Sequence, residues 1–176
     1  MASIALTILG AVSTTPAQRR DYLTDAEIEL VRDAQQIDLR ITVLTKAIDR
    51  RFFVLASDAS LAKEFEKEGE KWGELPKGSK VELLRDISSI LRKAVDDIDD
   101  VAERNSDSKF FPKAVAKLDT ACKDYKIRFR KFIDTAADER ERGALLGSID
   151  LCDQVNEAAL RLPKEPAKPE KKKSTN

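Results

Sequence analysis

The sequence predicts an all-α fold, an antiparallel four-helix bundle with coiled-coil-like seams and a short amphipathic helix in its first long connection. The clearest evidence is a run of apolar residues that alternate in steps of three and four: Val115, Leu118, Cys122, Tyr125, Phe129, Phe132 and Ala136. That spacing is the 3.5-residue period of a helix packed along a seam. Two other long segments repeat it. Of the 176 residues 36% are charged, whereas only 6 are Gly and 6 Pro, a composition typical of long helices with solvated outer faces.

The N-terminal segment differs in composition from the rest. Positions 1–18 carry no charged side chain, and a short apolar core is followed by Thr15-Pro16-Ala17, which offers small residues at the −3 and −1 positions of a cleavage site. We therefore expect residues 1–17 to be a signal peptide and the protein to be secreted or periplasmic, with no transmembrane segment in the mature chain. No Lys or Arg precedes the apolar core, however, and the alternative is a cytoplasmic protein whose N-terminal segment packs on the bundle.

The helical bundle domain is predicted to cover residues 18–162. Thr24 and Glu27 form a capping box that starts the first helix. Its seam then keeps the three-four spacing through Leu30, Ala34, Ile37, Ile41, Leu44 and Ile48. Since no Gly or Pro interrupts this stretch, one continuous helix is predicted to reach Ser57, a length of about 50 Å at 1.5 Å per residue.

Residues 58–78 form the first long connection. The end of the first helix is apolar on every side, and Phe65 and Trp72 have the spacing of one face of a short helix that docks near Phe52 and Phe53. These four aromatic residues are the predicted contact patch. One interpretation is a mobile lid or a partner site anchored by Trp72. The other, which we favour, is a segment that only covers the end of the bundle, because aromatic burial usually serves packing.

Three further helices complete the bundle. Ser79 with Glu82 starts the second, which should end near Asn105, and Pro112 lies in the first turn of the third. Asp138 with Glu141 starts the fourth, which should run to about Leu162. Gly143 and Gly147 lie four apart in it, and we expect a neighbouring helix to approach closely there. Pro163 ends the helix, and residues 163–176 form a Pro/Lys-rich tail that we expect to be disordered.

The two cysteines suggest a disulfide. Cys122 and Cys152 lie at equal distances from the turn predicted between the third and fourth helices, and both fall on seam positions. An antiparallel pair places them at about the same height, so a bond is geometrically allowed and is expected to add on the order of 3–4 kcal/mol. The alternative is a pair of free, buried thiols, the common fate of unpaired cysteines.

Two charged clusters are interpreted as solvated faces. Asp96, Asp97, Asp99, Asp100 and Glu103 lie late in the second helix, and reflection about the following turn puts Lys117 opposite Asp99 and Lys113 opposite Glu103. Interhelical ion pairs are therefore expected, in preference to a cation site, because no loop with ligand spacing is present. The basic residues of the third helix surround its aromatic seam. Since the chain is neutral overall, with 32 basic and 32 acidic residues, nucleic acid is not an expected partner.

Several chemistries are excluded by composition. The chain contains no histidine, which removes catalysis by Ser-His-Asp or Cys-His sites and the Glu-x-x-His iron sites of some bundles. Two cysteines are too few for a zinc site made of cysteine alone. We expect no catalytic residues, no cofactor and no bound metal. The expected function is that of a non-enzymatic helical protein acting by protein–protein contacts through helix faces, with an unknown partner or by self-association. The alternative is a bundle that binds a small apolar ligand near Phe52, Phe53 and Trp72.

Overall fold

A computed structural model describes residues 21–56, 65, 67–105 and 107–162. Within these ranges it contains no strand and six α-helices: α1 (Asp25–Asp33), α2 (Ile37–Ala56), α3 (Gly69–Trp72), α4 (Lys80–Asn105), α5 (Phe111–Ile133) and α6 (Glu139–Arg161). The predicted all-α helical bundle is confirmed. The predicted signal peptide (1–17) and tail (163–176) lie outside the described residues. None of the described helices combines the length and apolar character needed to cross a membrane.

The helix starts predicted from capping residues are confirmed. At the first, Thr24 N donates to Glu27 Oε2 at 3.0 Å and Glu27 N donates to Thr24 Oγ1 at 3.3 Å. The same reciprocal pattern joins Ser79 and Glu82, and Glu141 N donates to Asp138 Oδ1 at 2.8 Å. These bonds satisfy backbone N–H groups that have no partner within a helix.

The prediction of one continuous helix from residue 25 to residue 57 is wrong. The chain leaves the helix after Asp33 and re-enters one at Ile37. Arg40 Nε donates to the Ala34 carbonyl at 3.0 Å, which satisfies a backbone group in the turn. The turn folds α1 back along α2, so that Glu27 lies beside Arg51. The same arrangement buries Leu23 and Val31 in the core. Tertiary contacts therefore outweigh the local preference to continue the helix.

The four long helices form two antiparallel pairs. Asn156 Nδ2 donates to Asp119 Oδ1 at 2.8 Å, and Lys126 Nζ lies 2.6 Å from Asp153 Oδ1, so α5 and α6 run in opposite directions. Likewise α2 and α4 approach each other near Arg51 at one end of the bundle and near Ile37 at the other. α2 packs against α4 and α5, and α6 packs against the same two helices.

α2 and α5 are parallel neighbours. Lys117 Nζ donates to Thr42 Oγ1 at 2.6 Å, and the Tyr125 hydroxyl donates to the Thr45 carbonyl at 3.0 Å, so α2 and α5 point the same way. Lys117 was expected opposite Asp99, and Lys113 opposite Glu103. That register is wrong, because α5 lies mainly against α2 and α6, and the cross-helix partners found for Lys117 are on α2.

The predicted seam positions form the core. Leu44, Ile48, Leu118 and Phe129 are among its buried residues. Phe52 joins this aromatic core, with its ring centroid 5.3 Å from that of Phe129.

The expectation of close helix approach at Gly143 and Gly147 is wrong. A Cβ atom added to either residue meets no other atom within 4 Å. Both glycines lie on the exposed side of α6, together with Leu146. Steric crowding therefore does not explain why glycine stands at either position.

Candidate functional site

An open apolar groove lies at the end of the bundle where α4 and α6 finish and α5 begins. Its volume is about 360 Å³. Three helices supply its apolar lining: Val95, Ile98 and Ala102 from α4, Phe111, Val115 and Leu118 from α5, and Val155, Ala158 and Leu162 from the end of α6. These residues continue the seams of their helices, so the groove is a place where the core is left open to solvent. We call it the end groove.

One wall of the end groove is acidic. Asp99 lines it from α4, beside Ala102. Burial raises the pKa of Asp99, and the neighbouring carboxylates of Asp96, Glu103 and Asp100 raise it further. The wall therefore carries a concentrated negative charge next to apolar surface.

Exposed apolar side chains occur near the groove and elsewhere. Leu160, with 84% of its surface exposed, lies two positions from Ala158 and Leu162 on α6 and therefore projects from the opposite side of the helix. Leu39, Ile127 and Leu146 are about half exposed. Scattered apolar residues are normal on protein surfaces, so none of these four residues indicates a binding surface by itself.

A second, polar cleft of about 420 Å³ lies on another face of α4. The turn between α1 and α2 forms one side with Gln35 and Arg40, and Asp97 and Asp100 form the other. Lys93 pairs with Asp97 at 3.1 Å and Arg104 approaches Asp100 at 3.8 Å, in both cases within α4. Its carboxylates are thus partly neutralised, unlike those that face the end groove.

A buried charge cluster lies at the opposite end of the bundle. Glu27 from α1, Arg50 and Arg51 from α2, and Asp86 from α4 are each at most 5% exposed. Arg51 Nη2 donates to Glu27 Oε2 at 2.8 Å, Arg50 Nε lies 3.2 Å from Glu27 Oε1, and Arg51 Nε lies 3.7 Å from Asp86 Oδ2. Two cations and two carboxylates balance each other inside the protein.

Backbone carbonyls accept further hydrogen bonds from the two guanidinium groups. Arg50 Nη2 donates to the Glu74 carbonyl at 2.6 Å, while Arg51 Nη2 donates to the Tyr22 carbonyl at 2.6 Å. The Arg50 guanidinium carbon also lies 5.6 Å from the centroid of the Trp72 ring. These contacts tie together α1, α2, α4 and the chain around α3, which indicates a structural role.

Sequence reasoning missed this buried cluster, although a signal was present. The seam residue Ile48 is followed three positions later by Arg51, so the spacing placed a charged residue on the inward face. Glu27 was recognised only as a capping residue. Its second partner lies 24 positions away, and a local pattern does not show such a contact.

The four residues of the predicted contact patch are divided between two environments. The Phe65 ring stacks on Phe53 with centroids 4.5 Å apart, whereas Phe52 packs into the main core and Trp72 lies against Arg50. Phe52, Phe65 and Trp72 are all under 10% exposed. The apolar groove lies at the other end of the bundle.

The two cysteines meet beneath the end groove. Cys122 and Cys152 are both buried and both free, each about one helical turn from a lining residue, Leu118 or Val155. The hydrogen bond to Cys152 and burial raise the pKa of the Cys122 thiol. A disulfide between them stays a prediction.

The described part of the chain holds no group of three or more His, Cys, Asp or Glu residues arranged to bind a metal ion. Comparison with protein-family models, with curated proteins and with solved structures gives no match.

Proposed function

We propose that this protein is a non-enzymatic binding module. Its end groove binds a segment of a protein partner that has an apolar face flanked by basic residues. The proposal rests on one observation, an open apolar groove with an acidic wall. Apolar residues from three helices form its floor, and the carboxylate of Asp99 lies at its edge.

The shape and charge of the groove define the chemistry of its partner. Amphipathic helices commonly bind by laying an apolar face into a groove of this kind. The acidic wall favours partner segments with Lys or Arg beside the apolar face and disfavours acidic ones, because charge complementarity contributes to specificity.

Two labelled peptides test the proposal by fluorescence anisotropy. Each is an amphipathic helix of about 18 residues, or five turns, with the same Leu/Phe face and either Lys or Glu on its polar face. We expect the Lys peptide to bind at least about tenfold more tightly, because of the acidic wall. Asp99→Asn should reduce that preference, and Ala158→Phe should weaken binding of the Lys peptide by filling the groove.

Ala116→Phe is the matched control, since Ala116 is exposed on α5 and is not part of the groove lining. It should leave both affinities unchanged. Equal binding of the two peptides, or equal effects of Ala158→Phe and Ala116→Phe, would contradict the proposal. Sedimentation at several protein concentrations shows whether a second copy of the chain acts as the partner.

A second candidate function is the binding of a small apolar ligand, and the volume of the end groove favours it. About 360 Å³ is within the range of small-molecule sites. A neutral dye such as Nile red distinguishes the two functions. A small-ligand site should bind the dye tightly and show no difference in affinity between the Lys and Glu peptides. A peptide site should bind the Lys peptide more tightly than the Glu peptide.

We also propose that residues 1–17 are removed on export. The composition of that segment supports this proposal. The intact mass of the protein from its native host provides the test. A mass beginning at Gln18 is expected, and a mass that retains residues 2–17 would overturn export.

A further inference from the structure

The acidic wall of the end groove has little neutralising charge of its own. Among the described residues, Asp96, Asp99 and Glu103 form no ion pair. Glu103 also lies in the last turn of α4, where the helix dipole disfavours negative charge. A cationic segment that lies along this wall is therefore favoured by its electrostatics.

The chain itself carries such a segment close by. Leu162, the last described residue, lines the end groove. The sequence that follows has five Lys and two Glu, with Lys171, Lys172 and Lys173 in a row. Pro163, Pro166 and Pro169 favour extended backbone, in which 14 residues span roughly 40 Å at 3.1 Å per residue. The distance from Asp96 to Glu103 along α4 is only about 10 Å.

We propose that residues 163–176 fold back over the end groove, with Lys171–Lys173 along the wall formed by Asp96, Asp99 and Glu103, and so compete in cis with the partner. This inference rests on the proposed function for its regulatory meaning. The contact itself does not depend on a partner. Because the tail begins at the groove, its effective concentration there is in the millimolar range, and weak, screened contacts are enough to occupy the site part of the time.

A nitroxide label on the full-length chain tests the contact directly. Ser174→Cys provides the attachment point, since the native cysteines are buried and resist labelling in the folded protein. Paramagnetic broadening of backbone amide signals is expected at Asp96–Glu103 and at Ala158, and not at Gly143 or Gly147. It should be lost at about 1 M NaCl, where surface charges are screened within a few ångströms.

Charge reversal supplies the matched comparison. Lys171→Glu, Lys172→Glu and Lys173→Glu together should abolish the broadening and make the Lys peptide bind about threefold to tenfold more tightly. The control reverses the same number of charges at the other end of the bundle, at the exposed residues Arg130, Lys131 and Arg142. It should leave both the broadening and the affinity for the Lys peptide unchanged.

The outcomes separate the two proposals. Broadening that is absent, or spread evenly over the surface, overturns the folded-back tail, while preferential peptide binding would still support the groove as a partner site. Broadening confined to the acidic wall, with no binding of either peptide even to the triple Lys→Glu variant, supports the tail contact and overturns the proposed partner function.

Discussion

Glu27 has two roles, and its partners in them, Thr24 and Arg51, lie far apart in the sequence. Its carboxylate caps the first turn of α1 through Thr24 N and also accepts from both Nη atoms of Arg51. Taking charged groups out of water is costly, and removal of one partner leaves the others uncompensated. The same residue thus starts a helix and neutralises the charge of the helix packed against it.

Glu27→Gln should lower the free energy of unfolding by about 3–5 kcal/mol, the usual cost of breaking a buried ion pair. Urea denaturation followed by circular dichroism measures it. Glu29→Gln is the matched control, because Glu29 pairs with Arg32 on the surface with both side chains over 60% exposed, and it should change stability by less than about 1 kcal/mol. A similar loss in both variants would show that Glu27 contributes little beyond a surface pair.

Gly143 and Gly147 are expected to limit the stability of α6. Both face open space, so alanine fits without clash and each Gly→Ala change should add up to about 1 kcal/mol by helix propensity. Thermal unfolding of the single and double variants checks this. Gly73→Ala is the contrasting variant. With φ at +64° and Ala26 Cβ 3.1 Å from the added atom, it should destabilise the protein. A loss of stability at Gly143 or Gly147 would mean that something packs on that face.

Local sequence signals predicted where the helices begin, but they did not predict the end of α1 at Asp33. Capping pairs such as Ser79–Glu82 lie within one turn, so a single sequence contains the whole interaction. The turn at 34–36 contains no Gly or Pro. Folding back α1 brings Glu27 to Arg51 and buries Val31 in the core. Both contacts join residues far apart in the sequence, so a local pattern does not show them.

The packing of α5 against α6 brings the thiols of Cys122 and Cys152 into contact, and we expect an oxidant to join them in a disulfide. Diamide accepts two electrons and two protons from Cys122 and Cys152 as their sulfur atoms form a bond, so the intact mass should fall by about 2 Da. Because the Cys152 hydrogen bond and burial raise the pKa of Cys122, reaction should be slow and limited by transient opening. The oxidised protein should be more stable by about 3–4 kcal/mol.

Cys152→Ala is the control for that reaction. Its remaining thiol has no partner in the same chain, so the mass loss and the stabilisation should both disappear. A disulfide-linked dimer in the wild-type protein, in place of an internal bond, would contradict the arrangement of α5 against α6.

The sequence of the bundle predicts which residues form the core, but it does not predict where the core is left open to solvent. Seam periodicity identified Leu44, Leu118 and Phe129 as inward-facing. It did not show that α4 and α6 are neighbours, as the contacts from Lys80 to Glu141 and from Ser88 to Ser148 establish. The end groove depends on how those two helices and α5 finish relative to one another, and that relation is set by packing over the full length of the bundle.

The pH dependence of folding should contain two opposing contributions. Burial raises the pKa of Asp49 to about 6, Arg128 opposes the shift and Asp124 adds to it. The folded state therefore holds the proton more tightly than the unfolded state, and this stabilisation is present below about pH 4 and lost as the pH rises to about 6. For Glu141, hydrogen bonds from Lys80 and Ala137 lower the pKa. Its stabilisation is present above the unfolded pKa and lost in acid.

Variants at these two positions separate the contributions. Between pH 4 and pH 7, the free energy of unfolding of Asp49→Asn should rise by about 1 kcal/mol relative to that of wild type. This is less than the pKa shift of Asp49 alone implies, because its side chain is 37% exposed and solvent screens the charge. Glu141→Gln should show the reverse trend, losing stability relative to wild type as the pH rises over that interval. Urea unfolding at four pH values from 4 to 7 measures both. If the Asp49→Asn difference stays flat with pH, then Arg128 and water offset the burial of Asp49, and its carboxylate is ionised across the whole interval.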